Sequence, residues 1–240
     1  MKIHHAIFIL LLQILPHLLF ISSAVDYRAF NAALDTPGGA RFQSEIGLSY
    51  TIEIMKTINC VIWDIFQQYN ETDQKDVETV KVFIHQYNGA EAVTYGNNIN
   101  VSSIYLEGYK GNLKWEFTSL LHHEMTHVFQ WNGEGKAPAG LTEGMADYVM
   151  VKSNYYDPNN YDKPGDGNSW DEGYGVTARF LEYCDSLRDG FTADLNNMMR
   201  EVYKDEYFQD LLGISLDKCG AIIRLSMLRS SIVFKLKMDV

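Results

Sequence analysis

His123-Glu124-Met125-Thr126-His127 sets two imidazoles four residues apart, with a carboxylate directly after the first. On a helix, residues i and i+4 share a face, so both rings reach one metal ion while Glu124 projects from the neighbouring face. That is the arrangement for zinc-assisted hydrolysis: the nitrogens hold Zn2+ and the carboxylate takes a proton from water. The preceding segment, 113–121, is largely apolar and free of Gly and Pro, as a buried helix requires. Of seven histidines, His4, His5 and His17 fall in a segment expected to be removed. Of the remaining four, His122, His123 and His127 lie together and only His85 lies apart.

A third ligand decides the subclass. An extended metzincin pattern needs Gly three residues after His127 and His six after it, and those positions hold Gln130 and Gly133. Downstream, Glu143 and Asp147 are spaced four apart and share a face if their segment is helical. Glu143 then completes a two-His-one-Glu site of gluzincin type, with its fourth position left for water. Asp147 is placed to accept the second ring N–H of a liganding histidine. The plain alternative is a pair of solvated helix carboxylates.

Other nearby groups have structural readings. His122 lies about 100° round the helix from His123 and reads as a hydrogen-bonded core histidine. Glu134 sits in a Gly-rich turn and reads as a solvated loop carboxylate, and His85 ends the strand-like run 80–84. Catalysis of this kind also uses a donor to the developing oxyanion. Tyr174 is the candidate, with a core tyrosine as the alternative.

The motifs Thr36-Pro37-Gly38-Gly39, Glu45-Ile46-Gly47, His123-Glu124-Met125-Thr126-His127, Glu143-Gly144-Met145-Ala146-Asp147-Tyr148 and Gly173-Tyr174-Gly175, with the runs 95–102, 123–133 and 173–184, carry a family likeness. The chain resembles the plant basic secretory proteins, secreted proteins with a zincin-type peptidase signature that include a pathogenesis-related class. The resemblance covers about residues 27–217. It implies zinc on His123, His127 and Glu143, with Glu124 as base. Two features depart from it. The chain carries 20 Lys+Arg against 31 Asp+Glu, with a pI near 5.0, although the family is named as basic. From Lys218 onward the family pattern gives way to a basic, apolar tail, read as an alternative C-terminus that replaces a packing helix.

Residues 1–24 read as an export signal: Lys2 at the start, an apolar stretch over 6–20, and small residues at Ser22-Ser23-Ala24. The stretch is short and broken by Pro16, which argues against a retained anchor. The expected product is secreted and extracellular, in the cell wall or apoplast, with no membrane attachment after cleavage. Its balance becomes 19 cations against 31 anions, a net −12. That charge disfavours nucleic acid as a partner. Cys60, Cys184 and Cys219 exclude a Cys-based zinc site and a CxxC redox motif. Cys60 and Cys184 each sit on the apolar side of an expected helix, as one bridge or as two buried thiols. Two sequons are present, with Asn70 expected exposed and Asn100 expected in a strand.

Those residues must be positioned by an α+β fold. Strands are expected over 25–34, 77–86, 92–95 and 99–102, the last two around Gly96-Asn97, with a turn at 36–39. Helices are expected over 50–69, from 113 through the His-Glu pair, around Glu143, and over 174–187 and 192–203. The result is a zincin-like domain over 25–217, a small N-terminal mixed sheet packed on a mainly helical C-terminal half, with 218–240 as a divergent tail. The long loop 155–168, rich in turn formers and tyrosines, lacks EF-hand spacing. The expected activity is that of a secreted zinc endopeptidase acting on peptide or protein, with region 95–102 taking the peptide as an added strand. The rival is a catalytically silent extracellular defence protein with a structural metal.

Overall fold

The computed structural model describes residues 25–221. The expected export signal and residues 222–240 of the tail lie outside the described residues. Four strands form one sheet in the order β1 (Asp26–Asn31), β2 (Thr79–His85), β4 (Asn98–Ser102), β3 (Ala92–Tyr95). β1 and β4 each run parallel to β2, and β3 runs antiparallel to β4. The sheet is therefore mixed, as expected. Gly96 and Asn97 link β3 to β4, and Gly96 has φ 56°, a conformation that suits glycine in a two-residue hairpin turn.

Along β2, Val80, Val82 and Ile84 are buried while Lys81, Phe83 and His85 are half-exposed, the alternation of a sheet covered on one face. The cover is helical. α1 (Pro37–Glu45) and α2 (Leu48–Ile65) cross over from β1 to β2, and α3 (Ser103–Gly108) and α4 (Leu113–Phe129) follow β4. Met55, Ile58 and Ile62 of α2, spaced three and four apart, bury with Phe117, Leu121 and Met125 of α4 in the same core as the β2 valines. α5 (Ala139–Lys152), α6 (Tyr174–Leu187), α7 (Phe191–Met198) and α8 (Glu206–Leu212) extend that core away from the sheet. On the other face His85 stacks on Phe83, which stacks on Phe30. Among the described residues, no helix is long and apolar enough to cross a membrane.

Several local expectations are corrected. Thr36-Pro37-Gly38-Gly39 is the first turn of α1 rather than a free turn: Thr36 Oγ1 accepts from the Gly39 N–H at 3.1 Å. Pro37 occupies the first helical position, where a missing N–H costs nothing. A Cβ on Gly38 would lie 1.7 Å from the Ser103 carbonyl oxygen, so glycine there permits the contact between α1 and α3. The helix expected over 192–203 ends at Met198, because the chain turns there and the Met199 carbonyl accepts from Gly133 N–H at 2.6 Å. Cys60 is exposed on α2 and not on its apolar side. Cys184 is buried, and its neighbour is Cys219, with Sγ atoms 3.6 Å apart. Asn70 is exposed, and Asn100 lies half-buried between β2 and β3.

Candidate metal centre

Packing of the opposite face fixes the rotation of α4. Asn112 caps its first turn, Oδ1 accepting from Trp115 N–H at 3.1 Å. Leu113, Phe117, Leu121 and Met125, at intervals of four, point into the core with Val128 and Phe129. Each large side chain so buried contributes roughly 1.5–3 kcal/mol. His123 and His127 are thereby left partly exposed and turned toward Glu143, with Glu124 buried beside them.

The chain then reverses through Gly133, Glu134 and Gly135, all at positive φ, into α5. A Cβ on Gly133 would lie 2.5 Å from the backbone nitrogen of Tyr203, so this turn requires glycine twice over. Glu134 is exposed and pairs with Lys136, as its solvated reading anticipated. On α5, Gly140 and Gly144 bracket Glu143. A Cβ on Gly140 would lie 1.8 Å from the Asp171 carbonyl oxygen, and one on Gly144 2.3 Å from the Thr177 side chain. These glycines draw the start of α6 against α5, next to Glu143.

Three donor atoms converge. His123 Nε2 lies 3.0 Å from His127 Nε2 and 3.1 Å from Glu143 Oε2, and His127 Nε2 lies 3.5 Å from the same oxygen. A tetrahedral zinc with bonds near 2.0–2.1 Å separates its ligands by about 3.3 Å. The triangle of donors fits that spacing, and its nitrogen and carboxylate composition suits zinc. Charge points the same way. Burial disfavours a charged His123, yet the bonds to Asp147 and Glu143 outweigh it and hold the imidazole up at about 10. Burial also works against an ionised Glu143, and the bonds from His123 and His127 overcome it, holding the carboxyl well below the ordinary range. The pocket is built around a positive charge, and a divalent cation meets that need at the same atoms.

Asp147, expected behind the histidines, is there: His123 Nδ1–H donates to its Oδ1 at 2.7 Å. Three further residues were not foreseen. Tyr161 OH donates to Asp147 Oδ2 at 2.7 Å, extending the chain His123–Asp147 into the loop 155–168. Gln130 Nε2 lies 2.8 Å from His127 Nδ1 and 3.2 Å from the Thr142 carbonyl oxygen, while its buried Oε1 has no partner. A His127 that ligates through Nε2 carries its proton on Nδ1 and needs an acceptor. Turning the Gln130 amide over supplies Oε1 there, at the expense of the bond to Thr142. The third, Thr94 on β3, donates from Oγ1 to Glu124 Oε2 at 2.6 Å. Gln130 was within reach of the sequence, three residues past His127 at the C-cap of α4. Thr94 and Tyr161 carried no local signal.

Tyr174 opens α6 at φ 45°, a strained value for a residue other than glycine, and is 57% exposed. Its ring stacks on His123, centroids 5.9 Å apart. The charge of Glu143, then partial burial, pushes the phenol up, which keeps its proton available for donation. His122 donates from a neighbouring face of α4, its Nδ1 2.8 Å from the Thr118 carbonyl oxygen and its ring stacked on Tyr155. β4 is paired on both sides and cannot take an added strand; among the described residues the strand beside the site with one free edge is β3.

The chain is 58% identical over 38 residues to a protein named basic secretory protease from Boswellia serrata. That alignment spans 16% of this chain and 59% of the relative, so the chain covers less than two thirds of the relative's length. No solved structure matches the chain. A profile of the family described as "peptidase of plants and bacteria" matches residues 22–219, which include every residue of the cluster. The chain belongs to that family.

Proposed function

We propose that this protein is a secreted zinc-dependent peptidase that cleaves peptide or protein substrates at the His123–His127–Glu143 centre. The convergence of those three donors, with Glu124 against them and Asp147 behind, is the observation that carries the reading. His123, His127 and Glu143 would hold zinc, which would supply Lewis acidity to lower the pKa of water and polarise the scissile carbonyl. Glu124 accepts a proton from the attacking water and returns it to the leaving amine. Tyr174, protonated, exposed and stacked on His123, donates to the carbonyl oxygen as charge develops there. The free edge of β3 offers backbone groups to an extended peptide, which suits endopeptidase action. The expected export signal and the relative's name support secretion, and the pathogenesis-related likeness supports a role in defence.

Purified, zinc-loaded chain incubated with a broad peptide library should release defined fragments, and Glu124→Gln should retain zinc while losing cleavage. Equal cleavage by Glu124→Gln would reject this mechanism. Bound zinc with no hydrolysis at any pH would favour the rival, a binding protein with a structural metal.

A further inference from the structure

We propose that Cys184 and Cys219 form a disulfide that ties residues 216–221 to α6. Their Sγ atoms face each other at 3.6 Å, and both side chains are fully buried in the core. A disulfide requires about 2.05 Å between sulfurs, so closing it needs an approach of roughly 1.5 Å. The surroundings hold the two segments together already. Residues 216–221 are helical, with Leu216 and Cys219 in the core cluster. Gly220 lies against Trp170, whose ring packs on Phe180 of α6 at 5.3 Å. Cys60, exposed on α2, is left as a free thiol. Three cysteines thus resolve into one bridge and one unpaired group.

The bridge anchors the helical segment just where the tail departs from the family pattern, and it does so on the helix that begins with Tyr174. The reaction balances as thiol–disulfide exchange. One thiolate attacks a small-molecule disulfide oxidant and releases its first thiol. The second cysteine then attacks the mixed disulfide and releases the other, so two protein thiols are oxidised and two oxidant sulfurs are reduced. Both sulfurs are shut away from solvent in the folded chain, so a soluble oxidant meets them before the core closes, and oxidant added to the folded, reduced chain reacts slowly.

The test is independent of zinc and of hydrolysis. The full chain is refolded with reduced and oxidised glutathione, then alkylated in denaturant without reductant and weighed. One adduct is expected, at Cys60, together with a digest fragment joined through Cys184 and Cys219. A parallel Cys60→Ser chain should carry no adduct. Reduction should lower the melting midpoint by about 10 °C, because the link closes a loop of 35 residues. Three adducts, a glutathione on Cys184 or Cys219, or a bridge through Cys60 would each overturn the proposal.

Discussion

Thr94 Oγ1 lies 2.6 Å from Glu124 Oε2 and 3.1 Å from the backbone oxygen of the same residue. A single hydroxyl on edge strand β3 is thus bonded to the carboxylate that adjoins the two histidines. Glu124 is only 6% exposed, so the bond operates where water competes little. It holds the carboxylate in one rotamer and ties it to strand β3.

Replacing Thr94 by Val keeps shape and removes the donor. With a cleavable peptide in hand, Thr94→Val should lower kcat about 10- to 100-fold, the worth of one hydrogen bond to a charged group. KM and zinc content should stay near those of the parent, and Thr94→Ser should restore kcat. Full activity in Thr94→Val, or no recovery in Thr94→Ser, would deny the hydroxyl a positioning role.

Asp147 fixes the tautomer of His123 by accepting its Nδ1–H. Asp147→Asn should weaken zinc binding roughly 10- to 100-fold, measured by competition with a chromophoric chelator. Tyr161→Phe, one bond further out, should weaken it less. Parent-like affinity in Asp147→Asn would detach that carboxylate from the metal site.

Zinc uptake should release protons. In the metal-free chain His123 is held up at about 10 against an ordinary 6.5, so it is protonated at neutral pH. Its ion pairs contribute stability that is complete below pH 6.5 and is lost as pH rises through about 10. A metal must displace that proton, so affinity should tighten about tenfold per pH unit across this window. Calorimetry at pH 8 in two buffers of different ionisation enthalpy should report one proton released per zinc. A heat independent of buffer would contradict this.

The contact between α5 and α6 leaves no room for a methyl group at Gly144, whose Cβ would lie 2.3 Å from Thr177. Gly144→Ala should cost about 1–3 kcal/mol in thermal or denaturant unfolding. Because Thr177 is three residues from Tyr174, zinc-dependent activity should fall as well. Unchanged stability would mean that α6 yields more easily than its packing implies.

What could be read in the sequence was what depends on local spacing. His123 and His127, or Glu143 and Asp147, share a face because one helical turn brings them together, and no long-range contact is needed. The strand-like run 80–84 likewise revealed β2, and Gly96-Asn97 revealed the hairpin. The Pro and two glycines at 37–39 read as a turn because their role in α1 depends on a partner, Ser103, 65 residues away from Gly38. Thr94 and Tyr161 were invisible for the same reason: each meets the site only after strand and loop have folded onto α4 and α5. Cys60 was placed on the apolar side of its helix by helical phase alone, whereas the part of α2 that carries it faces solvent.

The most direct measurement is zinc stoichiometry by elemental analysis of the purified parent and of Glu143→Ala, after dialysis against buffered zinc. Three converging donors predict one zinc per parent chain and little or none retained by Glu143→Ala. A Glu143→Ala chain that holds a full equivalent as tightly as the parent would show that this carboxylate is not a ligand and that the centre is not built as described.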